Sequence, residues 1–147
     1  MHYPPIVKYA SMDEYRRHFE DVYCQWPILT FDNIAVRFRK KDFDHCFFES
    51  VQAKDDTFSP KRAERIDWIK TALEDPNSER YQGWDKKRKR YDSSRRVTIV
   101  MGNYVVVIEL IRANTANFVT AYVADTLDED GKSSTIEKIK KSPKWAR

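Results

Sequence analysis

At 147 residues, with 41% hydrophobic and 14% aromatic side chains, the chain has the length and apolar content of one domain with its own core. Three glycines, six prolines and 34% charged residues exclude a low-complexity or fibrous chain. The net charge of +4 is uneven: between Arg80 and Arg96 eight Lys and Arg face two Asp, a local +6, which leaves −2 for everything else, so a polyanionic partner is expected at one place on the surface.

The N-terminus shows no charged stretch leading into an apolar one, and the longest apolar run, residues 97–111, is interrupted by Gly102, Asn103 and Glu109. A cytoplasmic protein without a membrane span is the expectation. Cys24 and Cys46 lie far apart, with no CxxC pair and no His at ligand spacing. They read as reduced thiols, and neither a metal nor another cofactor is expected.

Ser11 precedes M-D-E-Y-R-R-H-F-E-D-V-Y, with Glu14 three residues after the cap and Tyr15, Phe19, Val22 and Tyr23 at helical spacing, which predicts a first helix. After Pro27, I-A-V-R-F-R from Ile34 alternates as a short strand. F-D-H-C-F-F-E-S from Phe43 reads as a second strand, with Phe43, His45 and Phe47 on one face and Asp44, Cys46 and Phe48 on the other.

A long helix is predicted from Ser59 as N-cap, through Pro60 at its first position, to Pro76 just past its end. Ile66, Ile69 and Leu73 form its apolar stripe; Arg62 falls on that stripe one turn earlier and Arg65 on its flank. Each guanidinium either serves a ligand, snorkels, or pairs with an acid such as Glu49 or Asp56. Residues 80–96 then read as a basic connection to the sheet, in which Lys86, Lys87, Arg88, Lys89 and Arg90 would grip phosphates while Trp84, Tyr81 or Tyr91 stack unpaired bases. A solvated loop is the rival reading, and a localisation signal a third.

The remaining chain reads as strands: Arg96–Met101, a two-residue turn at Gly102-Asn103, a strand from Tyr104, and a third strand from Phe118 to Val123. On this last strand Val119, Ala121 and Val123 are expected toward the helix, and Phe118, Thr120 and Tyr122 on an open face. Residues 125–131 read as an acidic loop, and a short basic tail follows, helical from Ser134 to Lys141. The expected architecture is α+β: an N-terminal helical portion and one long helix packed on an antiparallel sheet.

Together, F-D-H-C-F-F-E-S, D-D-x-F-S-P-x-R-A-E-R-I-x-W-I, and a sheet ending in F-V-T-A-Y resemble phage-associated nucleases of the barnase/EndoU/colicin/RelE-like superfamily. The resemblance covers about residues 34–124 of a single domain, with 1–33 as a helical extension. It implies a metal-independent endoribonuclease of phage or toxin type, a hydrolase acting on tRNA or mRNA, with an inhibitor or immunity protein as a further partner. It also implies site roles for His45, Arg62, Arg65, Thr120 and Tyr122, with Glu109 as an alternative base. Only His45 lies in the matching region, since His2 and His18 are upstream, so the two-histidine arrangement of the EndoU branch is not reproduced.

Chemically, RNA cleavage without a metal needs a base for the ribose 2′-OH, cations against the growing phosphorane charge, and an acid for the leaving oxygen. His45 could be either base or acid, the arginines could hold non-bridging oxygens, and Thr120 and Tyr122 could donate hydrogen bonds or stack. For His45 the alternative is a core residue among phenylalanines; for Thr120 and Tyr122, ordinary strand positions. A non-catalytic RNA- or DNA-binding protein, and an inactive nuclease-like interaction protein, are the rival functions.

Overall fold

The computed structural model describes residues 3–124 and 135–146, the side chains of residues 93 and 94 excepted. The predicted acidic loop and His2 lie outside the described residues. Helix α1 (Met12–Phe19) starts where Ser11 Oγ accepts from the Glu14 backbone N–H, and it buries Tyr15 and Phe19. A π-helical turn (Glu20–Cys24) continues it and brings Tyr23 inside. There the Tyr23 hydroxyl donates to the Ile66 carbonyl at 2.5 Å and accepts from the Lys70 N–H at 3.0 Å, which ties the N-terminal helix to the second half of the chain.

Strands β1 (Ile28–Leu29) and β2 (Ala35–Arg37) follow. The predicted strand at Phe43 is instead helix α2 (Asp42–Phe47), with strand β3 limited to Phe48–Glu49. The reason lies in the burial: Phe43, Cys46 and Phe47 are all buried, and only helical spacing, i, i+3 and i+4, puts all three on one side. A strand would have sent Cys46 away from both rings.

Beyond β4 (Thr57–Phe58), which pairs with β3, the predicted long helix is two pieces. Ser59 caps and Pro60 opens α3 (Pro60–Ala63), Arg65 leaves helical geometry at φ −95°, ψ 21°, and α4 (Ile66–Glu74) resumes. A continuous helix would aim Arg62 at the core along the stripe of Ile66, Ile69 and Leu73. The break lets Ala63 take the buried place, and the Arg62 side chain stays 47% exposed.

The chain then forms β5 (Glu79–Asp85), β6 (Arg90–Met101), β7 (Tyr104–Arg112) and β8 (Thr115–Val123). Residues 80–96 are therefore a β-hairpin inside the sheet, not a connecting loop. Sheet order is β1-β2-β8-β7-β6-β5, antiparallel except for the parallel β2–β8 pair. The β6–β7 turn falls at Gly102-Asn103 as predicted, with Gly102 at φ +63°. Its hydrogen-bond partner is unforeseen: the Tyr3 hydroxyl donates to Asn103 Oδ1 at 2.8 Å and accepts from the Asn103 N–H at 3.0 Å.

The core lies between one face of this sheet and α1, α2 and α4, where Phe19, Phe38, Phe43, Phe47 and Phe118 pack around Ile66, Ile69 and Leu73. Phe118 belongs to the core, not to the open face expected of it. A bulge is the cause: Val107 pairs with Thr120 but Ile108 pairs with Phe118, so Val119 is an extra residue and the alternation reverses there. Ala121 and Val123 do face the helices, and Tyr122 the other side, as predicted. That other side is partly closed, because Ile136 and Ile139 of helix α5 (Thr135–Lys140), like Tyr122, pack against the buried cluster of Tyr81, Val100 and Val105. The fold is α+β, and among the described residues no helix is long and apolar enough to cross a membrane.

Candidate functional site

The basic stretch gains a defined shape from the β5–β6 hairpin. Asp85 closes the tip: its Oδ1 accepts from the backbone N–H groups of Lys87 and Arg88 at 3.0 and 3.2 Å. The Arg88 N–H, with Lys87 and the nearby Arg95 and Arg88 guanidinium groups, holds the Asp85 carboxyl below its ordinary value. Lys89 completes the turn at φ +52°. Lys86, Lys87, Arg88, Lys89 and Arg90 are all exposed at the tip.

Behind them Trp84 and Tyr91 oppose each other across the two strands, 47% and 40% exposed, with their rings edge to face at 5.1 Å. Of the tip cations, Arg88 stands 3.9 Å from both Asp85 and Asp92, and the other cations of the stretch are more fully engaged. Arg80 is turned inward over the Phe31 ring beside Asp32, and burial lowers its pKa from the usual arginine value. Arg95 and Arg96 reach Glu109 at 3.3 and 3.9 Å. Tyr81, which could have been a stacking platform, is buried under α5.

The hairpin also depends on Gly83, where the ladder shifts register against β6. A Cβ at that position would stand 2.3 Å from the Arg96 Cβ, closer than two carbons can approach.

A cavity of about 500 Å³ opens beside α2, lined by His45, Asp44, Asp55, Lys54, Glu109 and Asn117 among others. His45 projects from the outer side of α2, with its side chain 47% exposed and Nδ1 3.5 Å from Asp55 Oδ2. It is not a core residue. The loop that presents Asp55 is drawn together by Asp56, whose carboxylate accepts from the N–H groups of Val51, Gln52 and Ala53 at 2.9, 2.9 and 2.8 Å. Those three bonds, the Val51 one foremost, push its pKa far below the carboxylate range. Glu109, from the middle of β7, meets the same cavity with Arg95 and Arg96 at its carboxylate.

Arg62, Arg65 and Tyr122 line a different cavity, of about 320 Å³, between α3 and the C-terminal half of β8. Arg62 donates to the Phe48 carbonyl at 2.8 Å and stands 3.7 Å from Glu49, one of the two acids considered for it; Asp56 is engaged elsewhere. Arg65 donates to the Lys61 carbonyl at 2.8 Å and lies over the Trp68 ring, while its Nε is buried with no hydrogen-bond acceptor. Burial raises the Tyr122 hydroxyl above the usual tyrosine value. Thr120 lines neither cavity.

The structure thus brings His45 to Glu109, and Arg62 to Arg65 and Tyr122, but places the two groups on successive stretches of β8, at residues 117–119 and 121–123. Sequence reasoning missed Asp55 and Asn117, the two arginines on Glu109, and the C-terminal tail. That tail runs along the outer edge of β5, with Gln82 N–H donating to the Pro143 carbonyl at 2.8 Å and Trp145 N–H to Arg80 at 3.1 Å. Only Asp85 carried a local signal, an Asp two residues before the backbone it caps. Cys24 and Cys46 are free thiols, and burial raises Cys46 to about 12. Among the described residues no three His, Cys, Asp or Glu side chains gather as a metal site would require. Comparison with protein-family models, curated proteins and solved structures finds no match to this chain.

Proposed function

We propose that this protein binds RNA through the β5–β6 hairpin. The observation that carries the reading is the hairpin tip: five exposed cations at residues 86–90 stand next to an exposed Trp84–Tyr91 pair. Cations neutralise phosphates and release counterions, and aromatic faces stack unpaired bases with little regard for sequence. The combination suits single-stranded RNA better than a duplex, whose bases are already stacked. The test is fluorescence anisotropy with a labelled single strand over a salt series. Replacing Lys86, Lys87 and Arg88 with Gln should flatten the log–log salt slope by about one unit for each lost contact; an unchanged slope refutes the reading.

A second reading, metal-independent endoribonuclease activity, is favoured by His45 and Glu109 lining one open cavity. In it the Glu109 carboxylate accepts the 2′-OH proton, the freed oxygen attacks phosphorus, the bond to O5′ breaks, and protonated His45 gives its proton to that oxygen. The products are a 2′,3′-cyclic phosphate end and a 5′-hydroxyl end. Arg95 and Arg96, beside Glu109, are the nearest guanidinium groups to offset the phosphorane charge. Kinship with the barnase/EndoU/colicin/RelE-like nucleases, a toxin or phage role, an inhibitor partner and a cytoplasmic setting belong to this same reading; the α+β arrangement is compatible with that kinship and bears on none of the others. Incubation with labelled RNA in EDTA separates the two readings: cyclic-phosphate ends support cleavage, and a mobility shift with intact RNA leaves binding alone.

A further inference from the structure

We infer that the cavity between α3 and the C-terminal half of β8 is a separate binding site for a phosphate monoester of mononucleotide size, held by Lys61, Arg62 and Arg65. The inference does not depend on the hairpin or on the cavity of His45.

Charge is the first ground. Three cations line the cavity against one lining carboxylate, Glu49, 3.7 Å from Arg62; Arg65 also stands 3.6 Å from Glu64, which is itself paired with Lys8 at 2.7 Å. Such an excess is costly to gather at one concave spot unless an anion offsets it. The second ground is spare donor capacity. Arg65 gives one terminal nitrogen to the Lys61 carbonyl and Arg62 one to the Phe48 carbonyl, each at 2.8 Å. A guanidinium carries five N–H donors, so further donors remain on both side chains that line the cavity.

Geometry and size define the class of ligand. Two guanidinium groups offer paired donors that match phosphate oxygens, and a dianionic monoester can use more of them than a diester in mid-chain. Arg62 is anchored through one nitrogen on the Phe48 carbonyl and Arg65 by its contact with the Trp68 ring, so both are largely positioned before a ligand arrives. The opposite wall is Tyr104, Ala121 and Val123, an apolar and aromatic surface for the organic part. At about 320 Å³ the cavity is at the low end of ligand-site volumes, which admits a nucleotide and not a folded polymer. The monoester could come from a free nucleotide or from the terminal phosphate of an RNA strand.

The test is calorimetric titration of the full chain at constant ionic strength with uridine 5′-monophosphate, inorganic phosphate and uridine. The expected result is saturable binding of the two phosphates and none of uridine. Arg65→Gln should weaken binding by about tenfold or more, the loss expected for charge-assisted hydrogen bonds. Arg62→Gln, at a half-exposed position, should do likewise and serves if the Arg65 variant does not fold. The Lys86, Lys87 and Arg88 triple Gln variant should bind as the parent does. Failure of the phosphates to bind, equal binding by both arginine variants, or loss of binding only in the hairpin variant overturns the inference. Comparison of 5′-phosphorylated with 5′-hydroxyl RNA assigns the source: a preference lost in Arg62→Gln points to a strand terminus, and binding of the free nucleotide without that preference points to a free nucleotide. If RNA binding fails while uridine monophosphate still binds, the hairpin reading falls and this site stands.

Discussion

Trp84 and Tyr91 sit directly opposite each other on β5 and β6, rings edge to face at 5.1 Å, at the base of a turn that carries five consecutive exposed cations. Neither ring belongs to the core, and although the Tyr91 hydroxyl accepts from Ser142 Oγ at 3.3 Å, both rings remain exposed enough to meet a ligand at little expense to the fold. Replacing either ring with Ala should weaken binding of a single-stranded RNA by about 1–3 kcal/mol, and binding of a duplex much less. Anisotropy with the two RNA forms checks this, and equal losses for both would count against stacking.

The placement of His45 sharpens a second expectation. With its side chain 47% exposed on the outer side of α2, removal leaves no cavity among the phenylalanines, so His45→Ala should melt as the parent does. If it transfers a proton, cleavage should fall by about a hundredfold or more, and one limb of the pH–rate profile should vanish. Glu109→Gln should remove the other limb. Cleavage at the parent rate by both folded variants would end the cleavage reading as stated.

Gly83 ties hairpin shape to stability. The Cβ of Gly83→Ala would stand 2.3 Å from the Arg96 Cβ, a contact that only movement of one strand relieves. A loss of roughly 1–3 kcal/mol in denaturant unfolding is expected, as for other overpacked sites. RNA affinity should fall with it, because the displaced strand carries Trp84.

Asp56 gives a pH dependence with a defined sign. Its pKa is depressed in the folded chain by bonds from the Val51, Ala53 and Gln52 N–H groups. The loop stability it contributes is therefore fully present above the unfolded carboxylate value, about 3.9, and is lost as pH falls through the lower folded value. Amide exchange at residues 51–53 should stay slow at neutral pH and accelerate only in strong acid. Asp56→Ala should expose those amides at all pH values and loosen Asp55 from His45. Unaltered protection in the variant would show that the loop is held by other means.

Much of the local structure was legible because its signals act within a few residues. The Ser11 and Ser59 caps, Pro60 at a helix start and the Gly102-Asn103 turn all appear where their side-chain chemistry predicts. The β-branched runs of β7 and β8, divided by turn residues, were sufficient for the α+β class. The errors came where two periods fit the same residues or where a contact distant in sequence decided. Phe43, His45 and Phe47 satisfy a two-residue period as well as Phe43 and Phe47 satisfy a helical one, and the choice fell to the aromatic core, which also needs Cys46 inside.

The sequence by itself determined that the chain folds as α+β, that its positive charge is concentrated in residues 80–96, and where most of its helices and turns begin. These follow from capping, alternation and composition, which need no knowledge of what packs on what. The tertiary structure alone decided the arrangement of the functional groups. The cost of burying Arg62 breaks the predicted helix at Arg65, and an extra residue at Val119 reverses the faces of β8. Arg62, Arg65 and Tyr122 line one cavity and His45 and Glu109 another, a division set by how α2, α3 and β7 meet β8. Strand pairing turns a run of cations into a hairpin tip with two rings at its base, because the register that sets Trp84 against Tyr91 comes from the ladder and not from either strand.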